Sequence, residues 1–263
     1  MGQYTQAERL LKIKTPFEDD YLLIQSIEAV EEMSQLFEYH LELFHEEKEG
    51  WSIPEVIDPK KLLGQPVSIA VSQLDDRARF FHGIVNHFSQ GGRDQHFTGY
   101  KMVVVPKVWI LTQRSQSRIF QQKTVPAILK EVFSDFENQV IWEFEYEYKP
   151  RNYCVQYRET DFDFASRLME EEGIYYYFEH SEDKHTLIVS DKPRFSRDCP
   201  GNAEVTSVYA ATGGDFQSFI RDWTIEYKLA SGAVSFRDHN IQQPGKKLGV
   251  TAATKFEIGE NGE

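Results

Sequence analysis

The chain has 263 residues, of which 40% are hydrophobic and 14% aromatic, enough for a folded core in one large or two modest domains. Its net charge of −13 argues against non-specific binding to nucleic acid or to an anionic membrane, since both need clustered lysine and arginine. No run reaches the ~18 apolar residues of a membrane helix, and the N-terminus lacks the apolar core of a signal peptide, so we expect synthesis in the cytoplasm without Sec export.

The first 107 residues predict short strands joined by glycine and aspartate turns. Residues alternate clearly between apolar and polar in Phe37–Leu43, which is typical of a half-buried strand. A short helix is predicted at Asp58–Gly64, with an aspartate cap, proline at the first helical position and a glycine stop. Glu28–Gln35 fits either a helical turn or a loop. Further strands are predicted at Leu10–Lys14, Tyr21–Ile27, Val67–Val71, Arg79–Phe81, Gly83–Phe88 and Phe97–Val105. This spacing favours a barrel or sandwich.

From about Lys107 the pattern changes to mixed helix and strand. Thr124 opens a predicted helix whose apolar residues form one stripe, at Val125, Ile128, Leu129, Val132 and Phe133. Val140–Tyr148 alternates aromatic with acidic residues and predicts a strand. Thr160 is placed to cap a second helix that Gly173 ends, between a strand at Tyr153–Tyr157 and another at Ile174–Phe178.

The remaining chain predicts more β structure. A hairpin is expected between Ile174–Glu179 and Thr186–Ser190, followed by a loop at Pro193–Val205. Further strands are predicted at Val205–Ala211, Phe216–Tyr227 and Ala233–Asp238. The last segment, Gly245–Glu263, is rich in glycine, lysine and glutamate and is expected to be poorly ordered.

The histidines do not have the spacing of a metal site. His82 and His87 bracket a predicted strand and, five residues apart, point to opposite faces, while His96 lies across a turn. No HxH, HExxH or CxxC pattern occurs. We interpret these histidines as surface or half-buried side chains and predict neither metal nor cofactor.

The acidic residues of the second helix are the strongest candidates for catalysis. A glycosidase needs two carboxylates that face each other across a cleft. Asp161 and Asp163, however, are explained by the helix dipole and capping, and Glu170–Glu172 by a solvated face. Ser166 lacks a GxSxG motif and Cys154 a motif partner. We therefore predict no catalytic, cofactor-binding or metal residues, and a structural or interaction module instead of an enzyme.

Two further features are explained more simply by a structural role than by a binding or catalytic site. Tyr175–Tyr177 could bind a sugar or a base, but strand propensity explains them more directly. Cys154 and Cys199 are interpreted as reduced, structural thiols.

Several motifs resemble one known family. Tyr153–His180, YCVQYRETDFDFASRLMEEEGIYYYFEH, resembles the hallmark of the VgrG proteins, which form the spike of bacterial type VI secretion systems. Val103–Phe133 is similar to the family's preceding segment, and Phe236–Leu248 to a later one. Phe37–Leu43 and Asp58–Val71 fit its first strands.

The resemblance implies a mainly β, α+β fold like that of a phage tail hub, with two barrel-like tube domains and α/β elements between them. The expected division is a first tube domain at 1–107, an α/β connecting region at 108–180, and the start of a second tube domain with a flexible tail at 181–263. The family's later barrel and β-helix would lie beyond Glu263, so the chain is expected to be truncated.

The function that the resemblance implies is a structural hub. It would adapt a trimeric spike to the hexameric inner tube, with baseplate proteins and effectors as partners, and be delivered by the type VI apparatus. The alternatives are a baseplate hub of a contractile phage or prophage and, from another class, a cell-wall glycosidase that uses Asp161 or Glu170–Glu172.

Overall fold

The structure is a computed structural model that describes residues 4–47, 57–72, 78–192, 206–207, 219–220, 223–226 and 231–254. By internal contacts the chain divides into two units, Met1–Arg197 and Asp198–Glu263. Among the described residues, no helix has both the length and the apolar character needed to cross a bilayer.

The first unit begins with a six-stranded antiparallel sheet in the order β1-β4-β5-β6-β3-β2. The edge strands β1 and β2 lie against each other, so the sheet curls like a half barrel. The strands are β1 (Leu11–Lys14), β2 (Leu23–Val30), β3 (Glu38–Glu46), β4 (Pro66–Ser72), β5 (Ala78–Arg93) and β6 (Phe97–Val105).

The alternation of apolar and polar residues along β3 places its apolar side chains in the core of this sheet. Tyr39, Leu41 and Leu43 on β3 are buried, while Glu38, His40 and Glu42 are exposed, which confirms the predicted half-buried strand. The predicted helix at Asp58–Gly64 is a 3-10 helix, Pro59–Lys61, in which the side chain of Asp58 accepts a hydrogen bond from Lys60 N at 3.0 Å.

The second half of this unit is α/β. A 3-10 helix spans Lys107–Gln113, and β7 (Ser115–Phe120) pairs antiparallel with β9 (Cys154–Thr160). A 3-10 segment spans Ser134–Gln139, and β11 lies between β10 and β8 in a three-stranded sheet. The remaining elements are α1 (Val125–Val132), β8 (Val140–Glu143), α2 (Asp161–Glu172), β10 (Tyr175–His180) and β11 (His185–Ser190).

Both predicted helices are present with their predicted caps. Thr124 Oγ1 accepts from Ala127 N at 3.3 Å, and Thr160 Oγ1 accepts from Asp163 N at 3.0 Å. Gly173 ends α2 with φ of +70°, the left-handed region that glycine adopts without a Cβ penalty. The apolar faces of α1 and α2 pack into a second core, with Leu187 and Val189 of β11.

Three predicted elements are wrong in extent. Arg79–Phe81 and Gly83–Phe88 belong to one long strand, β5, because His82 between them pairs in register with Ser68 of β4. The predicted strand Val140–Tyr148 ends at Glu143, because the carboxylate of Asp191 accepts hydrogen bonds from Glu145 N and Tyr146 N at 2.7 and 3.0 Å.

Part of the second unit is described. Ala233–Asp238 is a strand, as predicted, and forms β14, which pairs with β15 (Leu248–Ala253). The expectation of a poorly ordered segment from Gly245 is therefore wrong for residues 248–253. β12 (Thr206–Ser207) and β13 (Phe219–Ile220) form a short parallel pair. The whole of the loop predicted at Pro193–Val205, with Cys199, and most of the two strands predicted after it lie outside the described residues. The three-part division at 107 and 180 stays a prediction.

Candidate functional site

Three histidines meet where the six-stranded sheet contacts the β10–β11 hairpin, and we call this region the histidine seam: His82 on β5, His180 on β10 and His185 on β11. Their ring and backbone atoms form a continuous chain of hydrogen bonds. His82 Nδ1 lies 2.9 Å from His185 Nδ1, and His82 N donates to His180 Nδ1 at 3.1 Å. Lys107 N donates to His185 Nε2 at 2.9 Å. The seam therefore ties two sheets with separate cores together.

The backbone donors determine where the ring protons lie. Because Lys107 N can only donate, the Nε2 of neutral His185 is an acceptor and its Nδ1 carries the proton. That proton points at His82 Nδ1, so the proton of His82 lies on Nε2. By the same logic, His180 accepts at Nδ1 from His82 N and carries its proton on Nε2. All three rings fit the chain of hydrogen bonds in their neutral form.

The chain ends in a carboxylate on the sheet side. His180 Nε2 lies 3.2 Å from Glu31 Oε1 and 3.1 Å from the hydroxyl of Tyr39, which also donates a short hydrogen bond to Glu31. Arg79 Nη2 donates to the other oxygen of Glu31 at 3.1 Å. Burial raises the pKa of Glu31, but the hydrogen bonds from His180 and Tyr39 outweigh it and leave that pKa lowered.

Burial controls the protonation of two histidines. Removal from water, followed by the nearby His82 and His180, lowers the pKa of His185 to about 3. Burial, followed by the proximity of His180, also lowers the pKa of His82, and Asp183 opposes this shift. At neutral pH both rings are uncharged, as the chain of hydrogen bonds requires.

The seam joins the two sheets through hydrogen bonds and packing. No group of three or more histidine, cysteine or acidic side chains in the described parts of the chain could hold a metal ion. The half-buried or surface location predicted for the histidines holds for the exposed His87 and His96, but His82 is buried. His180 and His185 were missed. They form the last cross-strand pair before the turn of a predicted hairpin, so the sequence could have shown that they lie opposite each other. Nothing in the sequence places this pair beside His82.

Asp161, the first candidate for catalysis, is a buried structural carboxylate. Arg114 Nε and Arg118 Nη2 donate to its two oxygens at 2.9 and 2.8 Å, and Gln156 Nε2 donates at 2.8 Å. With no exposed surface, it has no access to a substrate. Of the remaining candidates, Asp163 accepts a hydrogen bond from the Thr160 hydroxyl at 2.7 Å, and Glu171 and Glu172 pair with Arg151 at 2.6 and 2.5 Å. Glu170 is exposed on the surface of α2.

The outer side of the β7–β9 pair carries a surface of apolar side chains with one arginine at its end, which we call the ribbon face: Ile119, Tyr153, Val155, Tyr157 and Arg158. The alternation of β9 was predicted, and the structure shows which side is buried. Cys154, a free thiol, and Gln156 point inward, while Tyr153 and Tyr157 are 57% and 63% exposed. The tyrosine side is the outer one because Gln156 is held inside by Asp161.

The other tyrosines are less accessible. Tyr176 is buried against Phe162 at a ring-centroid distance of 6.0 Å, and Tyr175 and Tyr177 on the other side of β10 are stacked and half-buried. Tyr176 is therefore a core residue and cannot contact a glycan in this fold.

Comparison with known proteins identifies the family. The family model described as phage tail baseplate hub (GPD) matches residues 30–262. The chain belongs to this family. The matched range contains the histidine seam, both helices and the ribbon face.

The relatives of this baseplate hub chain are secretion spike proteins. It is 38% identical over 250 residues to the type VI secretion system spike protein VgrG1a of Pseudomonas aeruginosa, which covers 93% of this chain and 37% of the relative. It is 37% identical over 175 residues to the actin cross-linking toxin VgrG1 of Vibrio cholerae, covering 66% of this chain and 15% of the relative. The resemblance to VgrG proteins is confirmed. The chain spans between 32% and 37% of the length of three VgrG1 proteins of Pseudomonas aeruginosa.

Solved structures show the same hub fold. A tail protein from Neisseria meningitidis matches with a TM-score of 0.59 at 12% identity, covering 94% of this chain and 68% of that chain. An Escherichia coli component of the type VI secretion system, structurally similar to the T4 phage tail proteins gp27 and gp5, matches with a TM-score of 0.54 at 24% identity, covering 65% and 49%. The predicted fold class, mainly β and like a phage tail hub, is confirmed.

Proposed function

We propose that this chain is the hub part of a type VI secretion spike. The observation that carries the proposal is the 38% identity to the spike protein VgrG1a, which extends over 93% of this chain. Similarity of this extent covers the six-stranded sheet and the α/β half together, so it concerns the whole hub fold and not one motif.

The mechanism we propose is geometric. Three copies, each contributing two tube domains, would present six similar surfaces to a hexameric inner-tube protein while carrying a threefold spike. Baseplate proteins would hold this hub, and sheath contraction would expel it with effectors bound to the spike. The histidine seam supports such a role, because a hub that transmits force needs its sheets fixed to one another.

We propose that the chain has no enzymatic activity of its own. Among the described residues, the carboxylate of Asp161 is fully buried between two guanidinium groups, so it cannot reach a glycan. We expect a purified chain to release no soluble fragments from peptidoglycan, and Asp161→Asn to behave like the wild type in that assay. Hydrolysis that the substitution abolishes would support the glycosidase alternative.

A second candidate is a baseplate hub of a contractile phage or prophage tail. The Neisseria meningitidis tail protein favours it, because that fold match covers 94% of this chain. The greater sequence identity to spike proteins favours the secretion role.

Deletion of the gene in the bacterium that carries it would test both candidates. For a secretion hub, we expect the inner-tube protein to disappear from the culture medium but not from the cells, and the intact gene to restore it. Undiminished secretion together with loss of sedimentable contractile tails would favour the phage hub.

A further inference from the structure

The ribbon face is contiguous and not a scatter of single exposed residues. Ile119 of β7 lies opposite Val155 of β9 in the register of the pair. Tyr153 and Tyr157 flank Val155 at positions two residues away, so they project from the same side of the strand. Ile119 is 59% exposed, similar to both tyrosines. Large apolar side chains that adjoin in this way mark binding surfaces more often than isolated ones do.

Arg158 at one end of this face is unusual in backbone and in charge. It occupies a bulge in β9 and has φ of +52°, a left-handed conformation that costs a residue with a side chain some free energy. Its guanidinium lies over the ring of Tyr157, 5.1 Å from the centroid. Among the described residues, no carboxylate lies within 4 Å of it, although the chain carries 42 acidic residues.

The inner side of the same two strands is fixed, which holds the ribbon face in place. Arg118 Nε donates to Gln156 Oε1 at 2.8 Å, and both side chains bind Asp161 at the start of α2. Arg167 on α2 donates to Val155 O at 3.2 Å and to Glu159. A surface fixed in this way loses little conformational entropy when a partner binds.

We propose that the ribbon face binds a segment of a different protein that presents apolar side chains beside a carboxylate. The apolar side chains would cover Ile119, Val155 and the tyrosines, and the carboxylate would pair with Arg158. This inference goes beyond the hub role, because it concerns an outer face of the α/β half and not the tube.

Charge complementarity favours this partner chemistry over a purely apolar one. A guanidinium stacked on an aromatic ring keeps its edge donors available for a carboxylate in a planar, two-point contact. The ribbon face is small compared with a stable protein interface, so it would act as one anchor within a larger contact.

Site-specific photocrosslinking in the bacterium that makes the full protein would test the proposal. The photoreactive residue p-benzoylphenylalanine replaces Tyr153, and in the control it replaces Tyr146, which is 58% exposed and lies outside the ribbon face. We expect an adduct with a different protein from position 153 and none from 146. Mass spectrometry of the adduct should locate an aspartate or glutamate beside apolar residues at the crosslinked segment.

Variants of Arg158 then test the charge. Arg158→Glu should lower the adduct yield about tenfold, whereas Lys184→Glu, an exposed charge reversal on the β10–β11 turn, should leave it unchanged. Arg158→Gly suits the left-handed backbone, so it should keep the fold and still lose the adduct. Replacement of the partner's carboxylate by lysine should restore the adduct of Arg158→Glu.

Several results would overturn the proposal: no adduct specific to position 153, an adduct between two copies of this chain, a yield insensitive to Arg158→Glu, or a charge swap that restores nothing. These results are separable from failure of the hub role, which is measured as secretion of the inner-tube protein after gene deletion. A hub that secretes normally with Arg158 intact and forms no adduct from position 153 would refute the partner site alone.

Discussion

Gly83 illustrates how one residue can set the distance between two strands. It lies inside β5, where an added Cβ would meet Val104 Cγ1 at 2.6 Å and Val105 O at 2.7 Å. The carbonyl belongs to the neighbouring strand and cannot move away without loss of the ladder. We expect Gly83→Ala to lower the free energy of unfolding by about 2 kcal/mol through overpacking, measured by urea titration.

A second glycine of β5 provides the control for this prediction. A Cβ on Gly92 would have no atom within 4 Å, so Gly92→Ala should leave the urea midpoint nearly unchanged. Equal destabilisation by both substitutions would mean that close strand approach at Gly83 is not the cause.

Asp161 provides the second prediction at this scale. Asp161→Asn removes the charge between two partly buried guanidinium groups and aims an amide N–H₂ at one of them. We expect a loss of about 3 kcal/mol in the free energy of unfolding. The matched control is Asp135→Asn, since Asp135 also binds Arg114, at 2.6 Å, but its side chain is 62% exposed. Its loss should stay below about 1 kcal/mol. Similar losses for both variants would contradict the structural role of the buried carboxylate.

At the scale of elements, sequence patterns correctly predicted the features that depend on residues close together in the chain. The caps at Thr124 and Thr160 and the alternation of β3 depend on neighbours in the chain, and they are present as expected. Prediction failed where a distant residue intervenes. β8 stops at Glu143 because Asp191, far along the chain, accepts hydrogen bonds from the backbone amides of Glu145 and Tyr146. The outward direction of Tyr157 likewise depends on Asp161, which holds Gln156 inside.

The histidine seam makes the joint between two sheets sensitive to acid. A histidine whose pKa is lower in the folded than in the unfolded protein binds its proton more readily after unfolding, so acid favours the unfolded state. The pKa of His185 is lowered to about 3 in the folded protein. The stability that its neutral form contributes is therefore lost as the pH falls below the pKa that His185 has in the unfolded protein. Between pH 7 and pH 5 we expect a decrease of about 2 kcal/mol for this histidine in the free energy of unfolding.

Two variants separate this effect from general acid sensitivity. In His185→Gln the decrease between pH 7 and pH 5 should shrink, whereas His87→Gln, at an exposed position, should keep it. The lowered pKa of Glu31 adds a further loss only at more acidic pH, since a carboxylate is protonated there. An unchanged pH dependence in His185→Gln would show that the seam is not its source.

At the scale of the whole molecule, the sequence resemblance predicted a mainly β fold like that of a phage tail hub. How the sheets of the first unit pack against each other depends on contacts between residues far apart in the chain. Phe178 of β10 packs against both cores of the first unit, and Phe37 of the sheet meets it at a ring-centroid distance of 4.9 Å. No local pattern marks this contact, because its residues lie far apart in the chain.

The first unit should therefore fold without the second. In the described chain, every buried hydrophobic residue lies between Ile13 and Val189, and both cores lie within that range. We expect a chain of residues 1–197 to unfold cooperatively, with a melting temperature within about 4 °C of the full chain by circular dichroism, equivalent to about 1 kcal/mol. A chain of residues 1–174 is the control, because it lacks β10 and β11 and with them His180, His185 and part of the second core. It should fail to fold. Loss of cooperative unfolding in the 1–197 chain would mean that the second unit contributes to the core, and the unit boundary would then not be a folding boundary.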